Sequence, residues 1–251
     1  MFKRVLIFAY GVTCYAIFFA TFLYALGFIG NFAVPATLDG VPTMPIGRAL
    51  TIDLALLGVF ALQHSIMARP FFKRWLTRFI PESAERSTYV LFSSLALIVM
   101  FVFWQPLGGI AWDVQDPAAR AVLYALFGFG WLLVLVSTFL INHFDLFGLR
   151  QVSLQLLGRP YRPLKFGTPG PYKLIRHPLY LGWLFAFWAT PTMTGTHLLF
   201  AFVTTAYILV AIQLEERDLV AALGEDYRQY RERVPMIIPW FRGSGESERA
   251  L

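Results

Sequence analysis

The 251-residue sequence predicts an all-α fold, a polytopic transmembrane helical bundle of five to six spans with a C-terminal helical hairpin and an interfacial helix. Three observations predict it. Hydrophobic residues make up 57% of the chain and charged ones only 14%, against about 25% charged in an ordinary soluble domain. Several apolar stretches reach the roughly 20 residues needed to cross about 30 Å of hydrocarbon. The excess of six positive charges falls in blocks between those stretches. That placement is a topology signal, and no nucleic acid partner is expected despite the basic balance.

The first stretch, 5 to 30, follows Met1-Phe2-Lys3-Arg4, an opening shared with signal peptides. It is longer than a signal core and lacks a convincing small-x-small site, so it reads as a retained helix. Cys14, the single cysteine, lies inside it and reads as a packing residue. The second stretch, 49 to 68, carries Asp53. A charge there costs about 2.5 to 3.5 kcal/mol, so Asp53 should face the bundle and serve a structural hydrogen bond. The third and fourth run 88 to 110 and 119 to 141. The fifth apolar region, 179 to 214, is broken by Pro191, Gly195 and Thr192-Met193-Thr194 and reads as a tight helical hairpin. If 179 to 190 failed to cross fully, five spans would remain.

The loops order these spans. Segments 69 to 87 and 142 to 178 are basic and are expected in the cytoplasm; 31 to 47, 111 to 117 and 191 to 196 carry few or no charges and are expected outside. Both termini then lie on the cytoplasmic side of the membrane. Beyond Glu215, Leu219, Val220, Leu223, Tyr227 and Tyr230 recur at helical spacing among charges, as in a helix lying at the membrane surface. Gly224 is unfavourable within such a helix and suggests a turn or close contact. The whole, 1 to 242, reads as one membrane-embedded domain, with a disordered tail from Gly243 to Leu251.

The densest run of unusual residues is Gly170-Pro171-Tyr172-Lys173-Leu174-Ile175-Arg176-His177-Pro178-Leu179-Tyr180-Leu181-Gly182. Pro178 suits a first helical turn, which starts a helix near His177. Its free NH groups, beside Arg176, suit an anionic group. Gly182 leaves room for another backbone or a ligand. Across the hairpin lie Glu215 and Glu216, so both signs of charge meet beside apolar walls, a setting for a zwitterionic ligand. His64 and His143 fall at the same depth, at the ends of the second and fourth spans. They could tie helix ends together or accept a proton near neutral pH. With neither HxxxH spacing nor cysteine pairs, no metal is expected.

The run Arg176-His177-Pro178-Leu179-Tyr180-Leu181-Gly182, followed by Glu215-Glu216-Arg217-Asp218-Leu219, Gly224-Glu225-Asp226-Tyr227, Tyr230 and Val234-Pro235-Met236-Ile237-Ile238-Pro239, resembles the isoprenylcysteine carboxyl methyltransferase superfamily. The likeness covers residues 167 to 240. Within that group, Gln63-His64-Ser65-Ile66-Met67-Ala68-Arg69-Pro70, Glu85-Arg86-Ser87-Thr88-Tyr89 and Asn142-His143-Phe144-Asp145-Leu146-Phe147-Gly148-Leu149-Arg150-Gln151 resemble the bacterial methanethiol S-methyltransferases and their NnrU-like relatives. The resemblance implies an S-adenosylmethionine cofactor held over 167 to 240 by Tyr172, His177, Pro178, Tyr180, Gly182, Glu215 and Glu216, with Tyr227 and Tyr230 shaping the pocket. His64, His143 and Arg176 are the catalytic candidates, and a small apolar thiol taken from the lipid bilayer is the expected acceptor. Met236 stands where the carboxyl methyltransferases carry Arg, which speaks against a carboxylate-bearing acceptor. An isoprenylcysteine or lipid acceptor, and a non-enzymatic NnrU-like role, are the alternatives.

Overall fold

The computed structural model describes residues 1–239; the expectation for Gly243 to Leu251 lies outside them. The helices are α1 (Phe2–Gly30), α2 (Ile46–Ala68), α3 (Pro70–Leu76), α4 (Glu82–Phe103), α5 (Pro117–Leu140), α6 (His143–Leu146), α7 (Leu149–Leu156), α8 (Pro178–Trp188), α9 (Gly195–Leu223) and α10 (Glu225–Arg233), with a 3-10 turn at Gly170–Lys173. Strands β1 (Ile110–Asp113) and β2 (Thr192–Thr194) pair antiparallel. Among the described residues, α1, α2, α4, α5 and α9 are long and apolar enough to cross a membrane. The chain is a multi-pass membrane protein.

Lipid solvates an outward-facing leucine as well as the interior does, so close packing decides which faces meet. α1 packs on α4 and α7, α2 on α4 and α9, and α5 on α8. The interior is aromatic: Phe28, Phe101, Trp104, Trp131, Phe187 and Phe200 are buried together. Leu54, Val59 and Leu62 of α2 stay exposed, as a lipid-facing stripe should. Cys14 is buried within α1. Asp53 is fully buried and accepts the Gln105 backbone N–H at 2.9 Å, the structural hydrogen bond expected of it.

Two boundaries differ from the sequence reading. The third span was expected over 88 to 110, yet α4 runs Glu82–Phe103. Its polar first turn projects beyond the apolar run, and Pro106, Gly108 and Gly109 stop it early, the two glycines at positive φ. The amphipathic stretch after Glu215 is not a separate helix from its start. α9 continues to Leu223 and breaks only at Gly224, whose φ of 61° and ψ of −127° suit glycine and turn the chain into α10.

The hairpin closes by an unusual pass. From Gly195 to Glu216 α9 rises about 30 Å at 1.5 Å per residue, whereas the 11 residues of α8 rise only about 16 Å. Yet His177 meets Glu216 at one end and Thr194 leads into α9 at the other. The extended segment from Ala189 through β2 covers the difference at roughly 3.3 Å per residue. Its backbone is satisfied by β1, by Val114 N–H on the Pro191 carbonyl, and by Gly195 N–H on Gly108, which membrane surroundings require. The His197 imidazole holds the Phe187 carbonyl at 2.9 Å and Asp39 at 3.2 Å.

α8 can sit deep against α5 because two glycines face each other. A Cβ on Gly182 would lie 2.7 Å from the Gly130 carbonyl oxygen, and one on Gly130 2.7 Å from the Gly182 oxygen. Of the two roles open to Gly182, admitting another backbone is the one this contact fills. Gly182→Leu should therefore force the helices apart and lower stability by about 1 to 3 kcal/mol or more. Gly58→Ala on α2, where nothing lies within 4 Å, should be neutral or stabilising. Thermal unfolding in detergent compares the two; equal melting temperatures would contradict the packing assignment.

Candidate active site

The basic segments gather at one end of the bundle. Arg4 packs at Gly158, Ser87 at Gly148 and Arg69 on Asp218, and residues 234–236 lie over 176–177 there. At this end Pro178 occupies the first helical position of α8, with His177 as its N-cap. The turn is pinned by backbone pairing: Arg176 N–H donates to the Pro235 carbonyl at 2.9 Å and His177 N–H to that of Met236 at 3.0 Å. Met236 thus contributes through its main chain.

Glu216 is the hub. Its side chain is 6% exposed, and Oε1 accepts Arg176 Nε at 2.7 Å and faces His177 Nε2 at 3.0 Å. Arg231 approaches Oε2 at 3.8 Å. The Arg176 guanidinium also donates through Nη1 to the Arg231 and Val234 carbonyls. One residue earlier, Glu215 is half-buried. Its Oε2 accepts the Tyr180 hydroxyl at 3.0 Å, and its Oε1 has no hydrogen-bond partner among the described residues. The two adjacent carboxylates therefore differ in surroundings: Glu216 is buried with Arg176 and His177 on one oxygen, whereas Glu215 is half-buried with the Tyr180 hydroxyl on one of its oxygens.

Tyr227 and Tyr230 of α10 are buried beneath Phe166. Tyr230 donates to the Tyr172 carbonyl at 2.6 Å. Burial, opposed by the Arg176 charge and reinforced by Glu216, pushes the Tyr230 phenol up to about 12. Burial and then the Glu215 charge raise Tyr172 as well. Both phenols are neutral donors at physiological pH.

The two histidines part company. His143 is buried; Tyr15 OH and Thr138 Oγ1 each lie 2.8 Å from its ring nitrogens, and Phe139 stacks on it at 4.3 Å. Burial lowers its pKa. It ties α1, α5 and α6 together. His64 instead meets residues of α4: the Tyr89 hydroxyl lies over its ring, 2.8 Å from Nε2 and 3.1 Å from Nδ1, and Ser93 Oγ lies 3.1 Å from Nδ1. Tyr207 pairs with Ser65 Oγ at 3.1 Å. The sequence reading quoted Tyr89 and Ser65 only as carriers of a resemblance and passed over Tyr207 and Ser93. Tyr207 was findable, since it precedes Glu215 by two helical turns on the same face of α9.

These residues converge on one end of a membrane bundle: His177, Glu216 and Arg176 joined at one carboxylate oxygen, Tyr180 donating to Glu215 beside them, and His64 with Tyr89 and Ser93. No family model matches the chain, and no solved structure does. The chain is 57% identical to the methanethiol S-methyltransferase of Crocosphaera subtropica, over 95% of its own length and 93% of the relative's. It is 55% identical to that of Mycobacterium tuberculosis, over 95% and 98%. A protein named Nurim from Sus scrofa is 34% identical over 68% of each chain. With such identity along nearly its whole length, the chain belongs to the methanethiol S-methyltransferase family.

Proposed function

We propose that the chain transfers a methyl group from S-adenosylmethionine to methanethiol, giving dimethyl sulfide and S-adenosylhomocysteine. The observation that carries this reading is the Tyr180–Glu215 pair held beside the Arg176–His177–Glu216 knot in a chain of this family. The donor set fits the cofactor's polar groups. Glu215 Oε1 can accept from an ammonium or a ribose hydroxyl, and Tyr172 and Tyr180 present phenols at the same place. Pro178, His177 and Glu216 hold the turn that positions them, Tyr227 and Tyr230 wall the pocket from α10, and Gly182 lets α8 approach α5. When bound, S-adenosylmethionine supplies a sulfonium methyl open to direct displacement. What remains for the protein is to align the thiol sulfur, exclude water and accept the thiol proton.

Replacing Glu215 and Glu216 separates binding from folding. Glu215→Ala removes a charged partner of the ligand and should weaken S-adenosylmethionine binding tenfold to over a hundredfold, about 1.5 to 3 kcal/mol, with the fold intact. Glu216→Ala strands Arg176, 10% exposed, and should cost about 3 to 5 kcal/mol of stability. Calorimetric titration and thermal unfolding in detergent read the two. Wild-type affinity in a folded Glu215→Ala protein would remove Glu215 from the cofactor site.

On this reading the basic end faces the cytoplasm of a bacterial inner membrane, where Lys and Arg accumulate, so that the cofactor enters from water and the thiol from lipid. Reporter fusions after Pro81, Gly158 and Leu251 should read cytoplasmic and those after Gly40 and Asp116 periplasmic. A periplasmic reading at Gly158 would invert the assignment.

The histidines should separate by pH. Because burial holds His143 below its ordinary value, the unfolded chain takes up the proton first as pH falls. Its contribution is thus complete above about 6.5 and is lost as pH drops through that value toward the folded one. His143→Gln should lower the melting temperature and flatten that acid decline, with a pH–rate profile parallel to wild type. His64→Gln should lower turnover at neutral pH without changing cofactor affinity, and the loss should shrink as pH rises toward the thiol pKa. A parallel profile for His64→Gln would rule out its role as base.

A further inference from the structure

Where α2 ends at Ala68 the chain turns at once: Arg69 is extended, with φ −74° and ψ 144°, and Pro70 opens α3. Helical turns continue past Leu76, since the Phe79 and Ile80 N–H groups both donate to the Leu76 carbonyl. Residues four apart therefore share a face. On that face Phe71, Trp75 and Phe79 stand 58%, 48% and 71% exposed, with the Trp75 ring 5.3 Å from that of Phe79. None of the seven residues of α3 is buried. Arg74 and Arg78 form a second exposed row alongside. The ion pairs at this end of the bundle are made by other residues, Arg69 with Asp218, Arg150 with Asp145 and Arg176 with Glu216. Among the described residues neither Arg74 nor Arg78 has a carboxylate partner.

Three aromatic rings left bare together mark a binding surface, and the charges beside them select the partner. A second copy of the chain is a poor fit, because a two-fold contact would set Arg74 and Arg78 against themselves. An anionic partner fits, and the anionic surface present where a spanning helix ends is the lipid headgroup layer. Rings at headgroup depth with arginines next to them are how a short amphipathic segment lies in a membrane surface. We propose that residues 71 to 79 are a binding surface for anionic lipid. Phe71, Trp75 and Phe79 sit at the boundary between headgroups and acyl chains, and Arg74 and Arg78 lie on the lipid phosphates. Arg69 couples this surface to α9: its guanidinium donates to the Ser65 carbonyl at 3.2 Å and to Asp218 at 2.9 Å, and Asp218 lies on α9 just beyond Glu215 and Glu216.

Thermal unfolding in nanodiscs of phosphatidylcholine, with and without phosphatidylglycerol, tests the surface. Phosphatidylglycerol should raise the melting temperature of the wild-type protein by several degrees, as a ligand of the folded state does, and the gain should shrink at high salt. Arg74→Gln/Arg78→Gln should lose most of that gain while matching wild type in phosphatidylcholine alone. Arg159→Gln/Lys165→Gln removes the same charge from another exposed stretch of the chain and should keep it. An equal loss in both double variants would overturn the site in favour of diffuse charge, and no gain in wild type would overturn it outright. The same gain from inorganic phosphate in phosphatidylcholine discs would overturn the lipid assignment. Trp75 reports its own depth. The fluorescence difference between wild type and Trp75→Phe should be quenched by lipids brominated near the ester end of their chains, whereas quenching by aqueous iodide alone would place the ring in water and overturn its seating in lipid.

Discussion

A buried carboxylate governs this structure. Glu216 lies where α9 leaves the apolar part of the bundle, and an unpaired charge there would cost several kcal/mol. Its compensation comes from Arg176 and His177, two residues on a different pass of the chain. Satisfying Glu216 therefore fixes where α8 begins, draws residues 234–236 into backbone pairing with 176–177, and turns Tyr180 toward Glu215. Arg176 and His177 both go to Glu216, and Glu215 takes the Tyr180 hydroxyl instead. Two carboxylates adjacent in sequence thus sit in different settings: one holds the architecture, and the other, on the proposed function, meets the cofactor.

That division depends on α8 sitting at the right depth, which is a packing problem. The Gly130–Gly182 contact lets the α5 and α8 backbones touch, and small residues at an interface are how membrane helices gain dispersion contacts without a hydrophobic drive. Pro178 ties the start of α8 to the site, and the helix is too short to complete the pass. The extended segment finishes it with its hydrogen bonds met by β1 and by side chains such as His197. The far end of the bundle is thus stapled by polar contacts, and the site end by charge.

Much of this was legible in residues. Apolar length gave the long spans, Pro178 gave the start of α8, and the carboxylates at 215 and 216 gave the approach of α9 to Arg176 and His177. What escaped has a common cause. The β1–β2 ribbon pairs residues eighty apart through backbone groups, which leave no hydrophobic period to read; 191 to 196 looked like a plain turn. α4 was set too late because apolar content marks the lipid-crossing part of a helix and says nothing of its polar first turn. His64 and His143 looked equivalent because depth is one coordinate. Their difference lies in which neighbours surround them, Tyr15 and Phe139 for one and Tyr89 for the other, and such long-range adjacency carries no local signature.

The site then joins two electrostatic regimes. Around Arg176, Glu216 and Glu215 the groups are charged, suited to a polar cofactor arriving from water. Toward His64 the lining changes to hydroxyls and rings, Tyr89, Tyr207, Ser65 and Phe60. A small thiol loses little by entering such a seam from lipid, but its thiolate would gain little there from fixed charge. An acceptor that must ionise in neutral surroundings needs its proton removed as the new bond forms, by groups already in contact. On the proposed function, charge on one side and neutral hydroxyls and rings on the other let one end of the bundle serve a zwitterion and a volatile thiol at once.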